Sequence, residues 1–137
     1  MPTLSAFKTV AFDMEREVHC GSDVDSLHFT TAGLTITVLR DIEDDGQVRG
    51  LRVFFPSASA ARYLDEGDLA RYWASDGFVR NRHVLEVIEG GWADEENDLQ
   101  GFATERREWL VVTGQGCVSV FAELEPTIHE HAWRRDA

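Results

Sequence analysis

Lysine is nearly absent: Lys8 stands alone beside twelve arginines, and 13 basic residues face 25 acidic ones in 137 residues. The formal net charge of −12 excludes the basic footprint that nucleic-acid phosphates demand. It equally opposes docking on an anionic membrane surface. The preference for arginine over lysine reads as the codon bias of a GC-rich bacterium. Cysteine is scarce. Cys20 and Cys117 lie far apart in the chain and make no disulfide framework. Both are expected as buried free thiols of a cytoplasmic protein. Proline occurs three times, and no Pro/Ser/Gly-rich linker divides the chain, so residues 1–137 are expected as one domain. No apolar run approaches the ~20 residues of a membrane span. The start, Met1-Pro2-Thr3-Leu4-Ser5-Ala6-Phe7-Lys8, lacks the basic and apolar regions of a secretory signal.

The residues that are present suffice for a core, with 43% hydrophobic and 10% aromatic. Period-two alternation predicts a strand over 6–14. A short strand follows at 27–30. Leu34-Thr35-Ile36-Thr37-Val38-Leu39 and 48–55 flank Asp44-Asp45-Gly46, whose turn chemistry predicts a β-hairpin over 34–55. Residues 57–75 change character. Leu69, Tyr72 and Trp73 share one helical face, and Gly67 breaks the run into helical turns with Asp68 as N-cap. Strand signals resume at 83–88. Residues 93–100 are acidic and carry no clear periodicity. Residues 108–113 and 117–121, around Gly114-Gln115-Gly116, predict a second hairpin. Residues 127–137 read as a polar C-terminal tail. These elements predict an α+β class: an antiparallel sheet of about six strands, containing the two hairpins, with a helical segment packed on one face.

The acidic surplus is uneven. Residues 46–92 are neutral, while 1–45 and 93–137 each carry a net −6. Two clusters hold four carboxylates in five positions: Asp41, Glu43, Asp44 and Asp45, then Asp94, Glu95, Glu96 and Asp98. Neighbouring like charges repel, so solvation, a cation or a basic partner must compensate. Calcium fits neither cluster. The first has Arg52 where an EF-hand needs its closing glutamate, and the second has Leu99 where the loop needs glycine. His19, His28, His83, His129 and His131 show no zinc spacing, so no metal or other cofactor is expected. No nucleophile motif is present, and no catalytic residue is assigned. The best enzyme-like segment is 62–73, where Asp65, Glu66 and Asp68 accompany Arg62, Arg71 and Tyr72. It supports an alternative reading as a small enzyme or ligand-binding domain. Helix-end acids over an aromatic core face explain the same residues locally. Trp92 borders the second acidic cluster, the composition of a hot spot for an Arg- or Lys-bearing partner.

The segments 62–73, Gly90-Gly91-Trp92 and 108–113 look like stretches of small bacterial proteins. In size, acidity and lack of catalytic motifs the chain resembles the immunity proteins of bacterial toxin–immunity systems, including contact-dependent inhibition. That resemblance implies binding and neutralisation of a basic, nuclease-like toxin domain, and it carries no functional residue with it. The expected partner-binding residues are therefore the two acidic clusters and Trp92. A homodimer formed through an exposed sheet edge is a third reading.

Overall fold

The computed structural model describes residues 7–65, 75–101 and 105–135. β1 (Lys8–Ala11), β6 (Val84–Glu89), β7 (Glu108–Val112), β8 (Gly116–Ala122) and β5 (Ala58–Asp65) form a first sheet in the order β1-β6-β7-β8-β5. β2 (Asp23–Thr30), β3 (Gly33–Ile42), β4 (Gln47–Phe55) and β9 (Thr127–Arg134) form a second in the order β2-β3-β4-β9. Every pairing is antiparallel. Among the described residues one helix, α1 (Trp92–Gln100), joins β6 to β7.

Alternation places the core. Leu34, Ile36 and Val38 of β3 and Leu51, Val53 and Phe55 of β4 share a face, because side-chain direction repeats every second residue. They pack against Val84, Trp109, Val111, Val118 and Val120 of the first sheet, all fully buried. The first sheet is buried on its other face as well. There Leu85, Leu110, Val112 and Cys117 meet Phe7 and Phe78, whose rings stack at 6.2 Å. Hydrogen bonds tie that cover down: Thr9 Oγ1 donates to Gly77 O at 3.0 Å, and Ser75 Oγ donates to Phe7 O at 3.2 Å. Burial on both faces explains why β7 and β8 read as continuous apolar runs.

The architecture corrects the α+β expectation. The described residues are mostly β, nine strands in two sheets with a single short helix, and a second sheet takes the place of the covering helix. The helical segment expected over 57–75 is, across Ala58–Asp65, the edge strand β5 paired to β8. Pairing with a formed neighbour overrides the helix preference of its alanines. The remainder of that segment, 66–74, with Asp68, Leu69, Tyr72 and Trp73, lies outside the described residues. The polar tail is in fact β9 over its first eight residues, pairing along β4. Its alternation is faint because, as an edge strand, it turns chiefly Ile128 to the core. Among the described residues a helix forms at Trp92–Gln100, where the sequence carries no apolar stripe. Both predicted hairpins are present, as β3–β4 and β7–β8.

Candidate functional site: two acidic platforms and the mouth of the sandwich

The first acidic cluster forms the β3–β4 turn. Gly46 takes φ 85°, Asp45 Oδ1 accepts the Gln47 N–H at 3.0 Å, and Glu43 pairs with Arg49. β9 clamps the turn from the side: Arg134 Nη1 donates to Asp45 O at 2.8 Å, and the Arg135 N–H donates to Gly46 O at 3.2 Å. Asp41 and Asp44 remain exposed at the tip. The flanking elements are strands rather than the helices of an EF-hand.

The second cluster rides on α1. This helix buries none of its side chains, so an apolar stripe does not hold it. Three contacts do. The carboxylate of Glu108, on β7, reaches across to the helix start. Its Oε2 accepts the Trp92 N–H at 3.0 Å and its Oε1 accepts the Ala93 N–H at 2.8 Å. It serves as the N-cap that Gly91 cannot supply. A Cβ on Gly91 would lie 2.6 Å from Glu108 Oε2, so glycine is required for the carboxylate to enter. Second, the Trp92 indole stacks on Phe121 with ring centres 4.1 Å apart and 19° between planes. Third, Arg62 of β5 lies 4.9 Å above the Trp92 ring and pairs with Glu95 at 3.1 Å. Arg106 sits 5.1 Å from the Phe121 ring. The result is a layered stack of Arg62, Trp92, Phe121 and Arg106, in which each guanidinium meets an aromatic face.

Most carboxylates of this cluster thus have local work. Asp94 Oδ2 accepts the Gly90 N–H at 2.8 Å, and Glu96 Oε1 accepts the Trp92 indole N–H at 3.0 Å. Asp94 and Asp98 are exposed. Burial raises the Glu108 carboxyl above its ordinary value, against the opposing pull of the two helix N–H groups. Phe121 and Glu108 point away from the inter-sheet core, so α1 lies on the outer face of the first sheet. The first cluster belongs to the second sheet. The two clusters therefore occupy different layers rather than one continuous surface.

A third assembly, absent from the sequence reading, closes one end of the sandwich. Alternation from Leu34, Ile36 and Val38 carries Arg40 to the inner face, and a bulge in β3 between Leu39 and Asp41 leaves it without a partner on β4. Arg40 Nε donates to His83 Nε2 at 3.2 Å, and its Nη2 donates to Glu17 O at 2.8 Å. His83 Nδ1 lies 2.7 Å from Val112 O. A carbonyl only accepts, so Nδ1 carries the proton and Nε2 is the acceptor. Among the described residues, no carboxylate lies within ion-pair distance of Arg40. Around it, Arg16 pairs with Asp13 at 3.0 Å and approaches Glu130 at 3.5 Å. An open cavity of about 260 Å³ is lined by Arg40, Arg49, Gly50, Glu130, His131 and Ala132.

No protein-family model, curated protein or solved structure matches the chain. The site must accordingly be judged on its own chemistry. Among the described residues, no group of three or more His, Cys, Asp or Glu side chains is placed to hold a metal ion, and no helix is long and apolar enough to cross a membrane. Cys117 is buried, and desolvation pushes its thiol up to about 12, which makes it a poor nucleophile. Cys20, expected as an ordinary packed thiol, is exposed. Of the 62–73 segment, Arg62, Tyr63, Leu64 and Asp65 stand on β5; the rest lies outside the described residues.

His83 gives a pH prediction with a definite sign. Its side chain is fully buried. Burial chiefly, with Arg40's charge adding to it, lowers its pKa below the ordinary 6.5, while the Val112 bond acts the other way. Below about pH 6.5 the unfolded chain binds a proton that folded His83 refuses, so unfolding gains as pH falls. Urea titrations at pH 7.5, 6.5 and 5.5 are expected to show stability declining, by up to ~1.4 kcal/mol per pH unit from this group. The slope should be shallower in His83→Gln by that amount. Equal slopes in the two proteins would remove His83 from the account.

Proposed function

We propose that this protein is a non-enzymatic binding module, an immunity protein that docks an acidic platform on a basic toxin domain and blocks it. The observation that carries the reading is α1. A helix that buries no side chain contributes little to the core, yet a strand carboxylate, an aromatic stack and an arginine pair anchor it. Such anchoring suits a presented surface, because preorganised groups lose little entropy on binding. Beside the helix start lies a cavity of about 210 Å³ whose lining includes Glu89, Asp94, Glu105 and Glu108, with Arg106 as its cation. A lysine or arginine side chain from a partner suits that lining. The net charge of −12 would steer a basic domain toward the surface and speed encounter.

The test is a titration against a panel of basic nuclease toxin domains, including the product of any adjacent gene that encodes a basic protein, by stopped flow at 50 and 300 mM salt. Asp94→Lys/Asp98→Lys is expected to slow association roughly tenfold or more at low salt and to flatten the salt dependence. Asp41→Lys/Asp44→Lys, in the other layer, is expected to act weakly. The reverse order would move the interface to the β3–β4 turn. Tight binding untouched by both pairs, or no complex at 50 mM salt, would sink the proposal. Circular dichroism on each variant establishes that the fold is retained.

A further inference from the structure

We propose that the mouth of the sandwich is a binding site for a small zwitterion, a free α-amino acid whose carboxylate meets Arg40 and whose ammonium meets Glu130. This site is independent of the acidic platform on α1 and would stand if that interface failed.

The inference starts from Arg40. A partly buried guanidinium ordinarily finds a carboxylate. This one is held by two neutral acceptors, the Nε2 lone pair of His83 and the carbonyl of Glu17. Those contacts fix the plane of the fork and use Nε and one Nη2 hydrogen. Nη1 and the second Nη2 hydrogen remain, and Arg40 lines the cavity of about 260 Å³. A guanidinium so oriented matches the two oxygens of a carboxylate. His83 cannot neutralise it, because its Nδ1–H is committed to Val112 O and its burial keeps the ring uncharged. Arg49 lines the same cavity. Its present partner is Glu43; the Arg49 side chain is largely exposed and that of Glu43 partly so. Exchange of that pair for a ligand costs little, since solvent already screens it.

Glu130 decides the ligand class. It lines the cavity too, with Oε1 turned toward Arg16 at a long 3.5 Å, which leaves Oε2 for a donor. A carboxylate in the lining repels a phosphate or a simple carboxylic acid. So does the protein's field at long range. A ligand with no net charge escapes the field, and one bearing both signs satisfies Arg40 and Glu130 together.

The experiment is isothermal titration of the intact chain with each of the twenty L-amino acids. The best binder is then compared with its deaminated acid, its decarboxylated amine, and inorganic phosphate. At least one amino acid is expected to bind, and both truncated analogues are expected to bind at least about tenfold more weakly. Glu130→Gln should weaken the amino acid to the level of the deaminated acid while leaving that acid's own affinity unchanged or improved. Arg40→Lys, which keeps the charge but loses the planar fork, should weaken both carboxylate-bearing ligands. Arg49→Gln, at an exposed position, serves as a folded second variant and should weaken the same two ligands. The proposal is overturned if no amino acid binds, if the deaminated acid or phosphate binds as well as the amino acid, or if Glu130→Gln changes nothing.

Discussion

Trp109→Ala is expected to remove about 3–5 kcal/mol of folding stability, the cost of deleting a large aromatic side chain from a packed core. Trp109 is fully buried at the centre of the inter-sheet layer. Phe12 meets its ring edge-on at 5.4 Å and 89°, and Phe55 lies 6.1 Å away on the opposing sheet. Its indole N–H donates to Ala122 O at 3.0 Å across β7 and β8. The Arg107 guanidinium lies over the ring, 4.8 Å from its centre. No neighbour can fill the void alone, because each contact comes from a different element with its own register. Against a typical domain stability of about 5–15 kcal/mol, the variant stands near the folding threshold. Urea unfolding should show a lower midpoint with an unchanged slope. Trp109→Phe separates the two contributions. It keeps most of the ring but deletes the donor, and it should cost about 1–3 kcal/mol. An alanine variant within 1 kcal/mol of the parent would mean that Trp109 is not the keystone of the layer.

Much of the fold was legible wherever the signal is local. The β3–β4 hairpin announces itself in Leu34, Ile36 and Val38, in Leu51 and Val53, and in a turn built on Asp45 and Gly46. The β7–β8 hairpin does the same around Gly114 and Gly116. What separates one sheet from two is non-local. β8 takes β5 as its second neighbour, and β4 takes β9, the strand farthest from it in the sequence. Ala58, Ala60 and Ala61 favour a helix by themselves and yield to the edge of a formed sheet. Gly50 is a further hidden constraint. A Cβ there would lie 2.0 Å from Val38 O and 3.0 Å from the Trp133 ring, so the glycine lets β9's tryptophan lie flat on β4. The acidic clusters were legible as charge, and their turn and helix-start positions follow from local chemistry. Their division between layers was not, because only the tertiary fold decides it. Arg40 left one trace in the sequence: it continues the 34, 36, 38 alternation, a cation where the next core residue would fall.

Glu108→Ala is expected to cost about 2–4 kcal/mol locally, since two partly buried helix N–H groups lose their acceptors together. The sequence offers Glu108 only as the polar first residue of a strand. The fold makes it the device that starts α1. Its loss should fray the helix, lift Trp92 from Phe121 and free Asp94 from Gly90, while the inter-sheet core around Trp109 stays intact. Hydrogen exchange resolves the two regions: amides of 92–96 should lose protection, and those of β3, β4 and β8 should keep it. Glu108→Gln retains one acceptor but turns an amide NH₂ toward helix donors, so it should fall between the parent and Ala. pH adds an independent check. Because burial raises the Glu108 carboxyl, its protonated form is favoured in the fold. Its stabilising share is complete below the ordinary carboxyl range and shrinks as pH rises through the raised value. Removing Glu108 should therefore cost more at pH 4 than at pH 8. The same variant probes function without touching an exposed charge. If α1 is the platform that meets a basic partner, Glu108→Ala should speed dissociation while leaving electrostatic association nearly unchanged, because surface charges set encounter and preorganisation sets residence. Unaltered dissociation from the partner, with α1 amides unprotected, would show that the helix is not what the partner holds.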